Sequence, residues 1–239
     1  VMIKCINILL AAGMLAVNYL ANALPINNKT TGELSDSFPN LFVPAGLTFS
    51  IWGIIYLLII IYCVVQFTGS DKEAIINISW LFGLSCILNI LWILFWHYGR
   101  LPLSLLVMTG LLVTLVAINI SIRDLPSGII KATFGIYLGW ICIAMIANVT
   151  ALLVGYNWNG FNISQEVWTI VMIFTGALIA GITLLKLNNP YTGLSVIWAF
   201  AGIAIKRQED YRTVFISAVI AMSLIALVTV WGFIRQRIL

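Results

Sequence analysis

The chain has 239 residues, of which 62% are hydrophobic and only 8% are charged, and its mean hydropathy is +1.08. A soluble domain is about 45–50% apolar and about 25% charged, so this composition excludes one and indicates a polytopic integral membrane protein, which we expect in a bacterial plasma membrane. The net charge of +4 comes from 12 basic and 8 acidic residues scattered over the loops, a pattern that excludes a dense nucleic-acid-binding surface.

The hydrophobic runs predict an all-α membrane bundle of about eight transmembrane segments, since about 20 apolar residues cross a bilayer as a helix. The first segment, 2–24, resembles a signal peptide in ending on Ala21-Asn22-Ala23, but its apolar run is longer than a typical signal core. The polar segment 25–40 is expected to fold over one mouth of the bundle. The other predicted segments are 38–67, 74–96, 103–122, 129–154, 167–185, 191–205 and 214–234.

The seventh of these segments, 191–205, is short for a full crossing. A segment of this length is expected to be tilted, re-entrant or buried in protein. The sixth segment carries two small-xxx-small pairs among Gly176, Ala177, Ala180 and Gly181, which permit close approach of another helix.

Aromatic side chains recur at helical spacing in the second predicted segment. Phe49, Trp52 and Tyr56 are three and four residues apart, which places their rings on one helix face. In lipid such a stripe gains little by leaving water, so we expect it to face other helices or a bound molecule, with ordinary interhelical packing as the competing interpretation. Similar aromatic-plus-amide faces occur in the third and fifth segments, at Asn89, Trp92 and Trp96, and at Tyr137, Trp140, Ala144 and Asn148.

Few residues offer catalytic or metal-binding chemistry. His97 is the single histidine and has no nearby pair of carboxylates, so it assembles neither a hydrolytic triad nor a multi-histidine metal site. We interpret it as an interfacial residue beside Trp96 and Tyr98, with axial ligation of haem as the alternative. The four cysteines fall inside predicted segments without CxxC spacing, which indicates neither a disulfide framework nor a zinc site.

Three ungapped blocks resemble the TspO/MBR family, the tryptophan-rich sensory proteins that include the mitochondrial translocator protein. The blocks are VPAGLTFSIWGIIY at 43–56, LNILWILFWHYGR at 88–100 and YLGWICIAMIAN at 137–148. The resemblance covers about residues 1–155 and implies the family's five-helix bundle there. Residues 156–239 have no counterpart in that minimal bundle, and we expect them to form a C-terminal extension of about three membrane helices.

The resemblance also implies a ligand pocket among these helices beneath the first long loop, and often a homodimer. Family members bind porphyrins, haem-related tetrapyrroles or synthetic aromatic compounds there. Sterol binding is not implied, because Val149 stands where the family's sterol motif has a tyrosine. The ligand-binding residues that the resemblance implies are Trp52, Tyr56, Asn89, Trp92, Trp140, Ala144 and Asn148. The helical spacing of the aromatic faces adds Phe49 and Tyr137 to the predicted site.

The sequence and the resemblance together predict a receptor or carrier for a hydrophobic, tetrapyrrole-like ligand, with no obligatory cofactor and no catalytic residue. The rings would stack on the ligand while Asn89 and Asn148 bond its polar edge. One alternative is a transporter of amphipathic small molecules, although the predicted segments hold few charges away from their ends. Another is light-dependent porphyrin degradation by tryptophans. The extension offers either a dimerisation surface at Gly176 and Ala180 or a second half that encloses the pocket.

Overall fold

The computed structural model describes residues 2–24, 26–68 and 71–238, and the described chain is helical apart from its turns and loops. Three short 3-10 turns, Ile26–Asn28, Gly46–Ser50 and Gly160–Asn162, supplement the helices. The prediction of an all-helical membrane bundle is confirmed. The helices are α1 (Met2–Ala23), α2 (Thr31–Asp36), α3 (Ile51–Thr68), α4 (Lys72–His97), α5 (Leu101–Ser121), α6 (Ile129–Gly155), α7 (Gln165–Lys186), α8 (Tyr191–Arg207) and α9 (Arg212–Ile238).

Among the described residues, seven helices are long and apolar enough to cross a membrane: α1, α3 with the turn before it, α4, α5, α6, α7 and α9. Their outward faces carry exposed apolar side chains such as Leu57, Ile76 and Leu106, as contact with lipid requires. The short segment predicted at 191–205 is α8, which has 17 residues. At 1.5 Å per residue it is about 26 Å long, less than the roughly 30 Å hydrocarbon core of a bilayer.

Helix α6 is the centre of the bundle. It packs against α3 and α5 on one side and against α7 and α8 on the other, while α4 lies between α1 and α5 and α9 lies against α7 and α8. Most of the first half of α6 is buried. The last three helices therefore pack onto the same helix that supports the aromatic residues of the fifth predicted segment.

Glycines on α6 allow α8 to approach at backbone distance. A Cβ atom on Gly139 would collide with the carbonyl oxygen of Thr192 and with Oγ of Ser195, and a Cβ atom on Gly135 would lie 2.6 Å from Oδ1 of Asn189. The contact involves backbone as well as side-chain atoms, so a larger residue cannot be accommodated by rotating one side chain.

A buried polar cluster joins the loops at the end of the bundle where α6 begins. Nζ of the buried Lys131 donates hydrogen bonds to the carbonyl oxygens of Arg123 (2.8 Å) and Asn188 (2.9 Å). Nδ2 of Asn189 donates to Oδ1 of Asn119 (2.7 Å) and to the carbonyl oxygen of Lys131 (3.0 Å). The loops before α6 and before α8 are thus tied together.

The small residues of α7, at positions 176 and 180, pack inside the protein. Gly176 and Ala180 are buried, and a Cβ atom on Gly176 would lie 3.1 Å from Ile146 and 3.4 Å from Ile143 of α6. These small residues therefore pack against the chain's own core and do not present the open surface that a dimer contact there needs.

The close approach of α6 and α8 gives a test of the fold. Gly139→Ala should lower the free energy of unfolding by about 1–3 kcal/mol, because the added methyl group forces two helices apart. Gly53→Ala is the matched control, since Gly53 also lies in a membrane helix but a Cβ atom there meets nothing within 4 Å. Thermal unfolding of both variants in detergent, followed by circular dichroism, measures the difference; equal stability would contradict the backbone-distance contact.

Candidate functional site

A small cavity lies between α3, α4 and α6 at the end of the bundle where the first loop folds over. Its volume is about 50 Å³. The loop covers it with α2 and the segment that follows, so residues 31–48 are called the roof from here on. The walls are formed by Phe49, Trp52, Trp92, Trp96, Trp140, Ile143, Ala144, Ala147 and Asn148, and the roof contributes Thr31, Ser35, Phe42 and Pro44.

Trp52 is the centre of the aromatic wall. Its ring stacks on Tyr56 (5.6 Å between centroids, 22° between planes) and on Trp92 (5.7 Å, 28°). It meets Tyr137 and Trp140 edge-on at 6.0 and 6.2 Å. The aromatic faces of three helices therefore converge on one another and not on lipid, because the three-and-four spacing of each helix directs its rings to the same side.

A chain of hydrogen bonds closes the floor of the cavity. The hydroxyl group of Tyr56 donates to Oδ1 of Asn18 (2.7 Å), Nδ2 of Asn18 donates to Oδ1 of Asn89 (2.7 Å), and Nδ2 of Asn89 donates to the hydroxyl oxygen of Tyr137 (2.8 Å). Asn18 and Asn89 are both buried. The carboxamide of Asn89 is thus bonded to Asn18 and Tyr137. Asn89 lies about one helical turn below the cavity and does not line it, whereas the sequence placed its carboxamide at the edge of a ligand.

Three indole N–H groups around the cavity are unsatisfied. Nε1 of Trp92, Trp96 and Trp140 is buried and has no hydrogen-bond partner among the described residues. A buried donor without a partner costs about 1–3 kcal/mol. Two other indole N–H groups are paired: Trp168 donates to the carbonyl oxygen of Gly160 at 2.9 Å and Trp198 donates to that of Thr48 at 2.8 Å. The residues that line the cavity therefore carry three donors that are packed against protein atoms, and a bound molecule can pair them when the rings move.

The upper end of the cavity is polar. Nδ2 of Asn148 donates to Oγ of Ser104 (3.0 Å), and Oγ1 of Thr31 lies 3.1 Å from Nε2 of His97. Nδ1 of His97 lies 3.0 Å from the carbonyl oxygen of Ile26, which can only accept, so Nδ1 carries a proton. His97 is buried, contrary to the interfacial position expected from the sequence, and both its ring nitrogens hold the first loop against α4.

Helix α2 in the roof begins with a capping box. Oγ1 of Thr30 accepts from the backbone N–H of Glu33, and the Glu33 carboxylate accepts from the backbone N–H of Thr30 at 2.8 Å. These bonds from Thr30 lower the pKa of the Glu33 carboxyl. The stabilisation is therefore complete above the ordinary carboxyl pKa and is lost only as the pH falls through the lowered value.

The structure brings the predicted site residues together in two layers. Phe49, Trp52, Trp92, Trp140, Ala144 and Asn148 line the cavity, whereas Tyr56, Asn89 and Tyr137 form the floor. Sequence reasoning missed Asn18 as a floor residue, although a carboxamide inside an apolar run is the same signal that singled out Asn89. It also missed the roof residues, which belong to no periodic pattern.

Comparison with known proteins supports the resemblance found in the sequence. The chain matches the family described as TSPO-like protein over residues 4–231. The match continues past residue 155 through α7 and α8 into α9, whereas the three sequence blocks end at residue 148. Comparison with curated proteins and with solved structures gave no match. The separation into a five-helix bundle and an extension stays a prediction.

The floor can be tested independently of any ligand. Asn89→Leu should lower the free energy of unfolding by about 1–3 kcal/mol, because it leaves Asn18 and Tyr137 without their partner inside the bundle. Asn22→Leu is the control: Asn22 is exposed and bonds only a carbonyl of its own helix. Thermal unfolding in detergent measures both, and a loss no larger for Asn89→Leu than for the control would refute the floor network.

Proposed function

The chain belongs to the TSPO-like family, and on that premise we propose that it is a membrane receptor or carrier that binds a flat, hydrophobic, tetrapyrrole-like ligand in the cavity. The observation that carries the proposal is the group of three indole N–H donors, on residues that line one apolar, ring-lined space, that have no partner in residues 2–24, 26–68 and 71–238. The family and the helices already make it an integral membrane protein of the TspO type; the ligand is the step that we add.

The chemistry of the walls selects the class of ligand. Aromatic rings offer faces and edges on which another flat π system packs favourably. A purely hydrocarbon ligand would leave the N–H groups of Trp92, Trp96 and Trp140 unpaired. A ligand with acceptor atoms at its edge, such as the carboxylates of a porphyrin, would pair them, and bonds to a charged acceptor are the stronger kind.

The size of the cavity requires that it expands on binding. Its volume is about 50 Å³, whereas pockets for drug-sized ligands are about 300–1,000 Å³. The stack of Trp52 on Tyr56 and Trp92 fills the space that a ligand would take. A bound porphyrin would therefore replace ring–ring contacts within the protein by ring–ligand contacts of the same kind.

The filled bundle below the floor supports binding over passage through the centre. Tyr62 packs edge-on against Phe82 (4.8 Å) and Phe134 (4.9 Å), and all three are buried. A solute crossing by this route would have to displace both the hydrogen-bonded floor and this aromatic cluster. Flux of a porphyrin into proteoliposomes tests the transport alternative, and bleaching of the bound porphyrin in light tests degradation.

Haem ligation by His97 is not part of the proposal. Both ring nitrogens are held by Thr31 and Ile26, so coordinating iron would break one of these contacts. The metal-free porphyrin is therefore the better probe of the cavity.

A porphyrin pair tests the role of the unpaired donors. Trp140→Phe keeps an aromatic ring but removes an N–H group, so it should weaken binding of protoporphyrin IX about tenfold. Octaethylporphyrin, which lacks carboxylates, should bind the variant and the parent within about twofold of each other. Quenching of tryptophan fluorescence on titration of the purified protein gives the affinities.

The control for this titration is Trp80→Phe. Trp80 lies on α4 like Trp92, but it is exposed on the outer face, so its replacement should leave both affinities unchanged. Equal affinity of protoporphyrin IX for Trp140→Phe and Trp80→Phe would remove the Trp140 donor from the site, and lack of any saturable binding would refute the proposed function.

A further inference from the structure

We propose that α8 latches the roof: Lys206 and Arg207 are positioning residues that hold the roof closed over the cavity, and ligand enters when these contacts open. The identity of the ligand rests on the proposed function, whereas the closed and open states of the roof do not. No part of the family resemblance in the first 155 residues contains these two side chains, which lie in the last third of the chain.

Both cations bind backbone carbonyl groups of the roof. Nε and Nη2 of Arg207 donate to the carbonyl oxygens of Leu41 (3.1 Å) and Asn40 (3.0 Å). Nζ of Lys206 donates to Oδ1 of Asp36 at 2.8 Å and to the carbonyl oxygen of Pro44 at 3.4 Å. The end of α8 thus supplies partners for roof groups that belong to no regular hydrogen-bonded structure.

Further contacts along α8 continue the attachment. Nε1 of Trp198 donates to the carbonyl oxygen of Thr48 (2.8 Å), and the backbone N–H of Ala45 donates to the carbonyl oxygen of Gly202 (3.0 Å). Gly202 also meets the side chain of Thr48 so closely that a Cβ atom would collide with it. About three turns of α8 therefore follow the roof from residue 48 back to residue 36.

The roof between residues 41 and 44 is a partition one residue thick. Phe42 and Pro44 line the cavity. Leu41 and Val43 line the opposite side, which is an outer recess of about 330 Å³ bordered also by Lys206 and Arg207. The recess has the volume of a ligand pocket and the cavity does not. Moving this short segment would join the two spaces.

The roof is the part of the enclosure that can move at least cost. The walls stand on membrane helices whose backbone groups are bonded within each helix. The roof is instead attached to α8 mainly by side chains, with one backbone hydrogen bond from Ala45 to Gly202. Its ion pair lies at the water-accessible surface, with 29% of the Lys206 side chain and 58% of the Asp36 side chain exposed. Water can replace the partners of exposed groups, so these contacts open more readily than helix packing.

Maleimide labelling of a roof cysteine measures the opening without any ligand. Ser35→Cys, which exchanges one oxygen for sulfur, places a thiol at a buried roof position that faces the cavity and not the outer recess, in a Cys5→Ser background because Cys5 is exposed. In the full chain in nanodiscs, Arg207→Met should raise the rate of labelling by a water-soluble maleimide about tenfold, since two hydrogen bonds from a charged group are lost. Asp36→Asn, a change at an exposed residue, should raise it about threefold.

Arg212→Met is the matched control for loss of a positive charge. Arg212 is exposed at the start of α9, and its guanidinium makes no hydrogen bond or ion pair with the described residues. Its replacement should leave the labelling rate within about twofold of the parent. If Arg207→Met and Asp36→Asn both label at the rate of Arg212→Met, the latch does not exist. If Arg207→Met fails to fold, the labelling rate of Asp36→Asn alone tests the latch.

Binding kinetics separate a latch from a merely structural role. Stopped-flow mixing with protoporphyrin IX should show association and dissociation rates that rise together in Arg207→Met while the affinity stays within about threefold; lost affinity at an unchanged association rate would contradict the latch. Faster labelling in a protein that binds no porphyrin would refute the proposed function and leave the latch standing. Porphyrin binding with an unchanged labelling rate would support the proposed function and refute the latch.

Discussion

The contact between α6 and α8 at Gly139 is the constraint on which the rest of the structure depends. Because Gly139 has no side chain, the backbone of α8 at Thr192 lies directly against α6. The same helix α6 carries Trp140 into the cavity wall one residue later. From this fixed start α8 runs to the roof, so one close approach sets both the position of a wall and the reach of Arg207.

The polar groups of the floor and those of the cavity walls differ in how they are paired. In the floor, each carboxamide and phenol group has a protein partner, which fixes α1, α3, α4 and α6 relative to one another inside the bundle, where Asn18, Asn89 and Tyr137 are buried. In the cavity walls, the indole N–H groups of Trp92, Trp96 and Trp140 have no partner within the part of the chain that the structure describes. A satisfied layer is rigid, whereas an unsatisfied one is stabilised by whatever brings acceptors to it. The floor thus holds the donors in place for a molecule that the chain itself does not supply.

The spacing of residues along the chain predicts helices and the faces of their side chains, but it does not predict contacts between distant segments. The segment predicted at 129–154 is the helix Ile129–Gly155, and the rings of Phe49, Trp52 and Trp140 meet as their spacing indicates. The burial of His97 could not be predicted, because it accompanies contacts with Thr31 and Ile26, which are 66 and 71 residues away. The roof contacts could not be predicted either. Every residue has a backbone carbonyl group, so a side chain that donates to one leaves no pattern in the sequence of the accepting residue.

The length of α8 has a physical reason once both its ends are considered. A helix of 17 residues is at the lower limit of length for crossing a bilayer alone, and its polar ends would then lie close to the hydrocarbon. Here Asn189 is bonded at one end to Asn119, and Lys206 and Arg207 are bonded at the other end to the roof. The helix therefore spans the distance between two layers of protein, which is smaller than the thickness of lipid. Because both of its ends are bonded to other parts of the protein, α8 is better understood as part of the site than as an added anchor, in keeping with a family match that runs to residue 231.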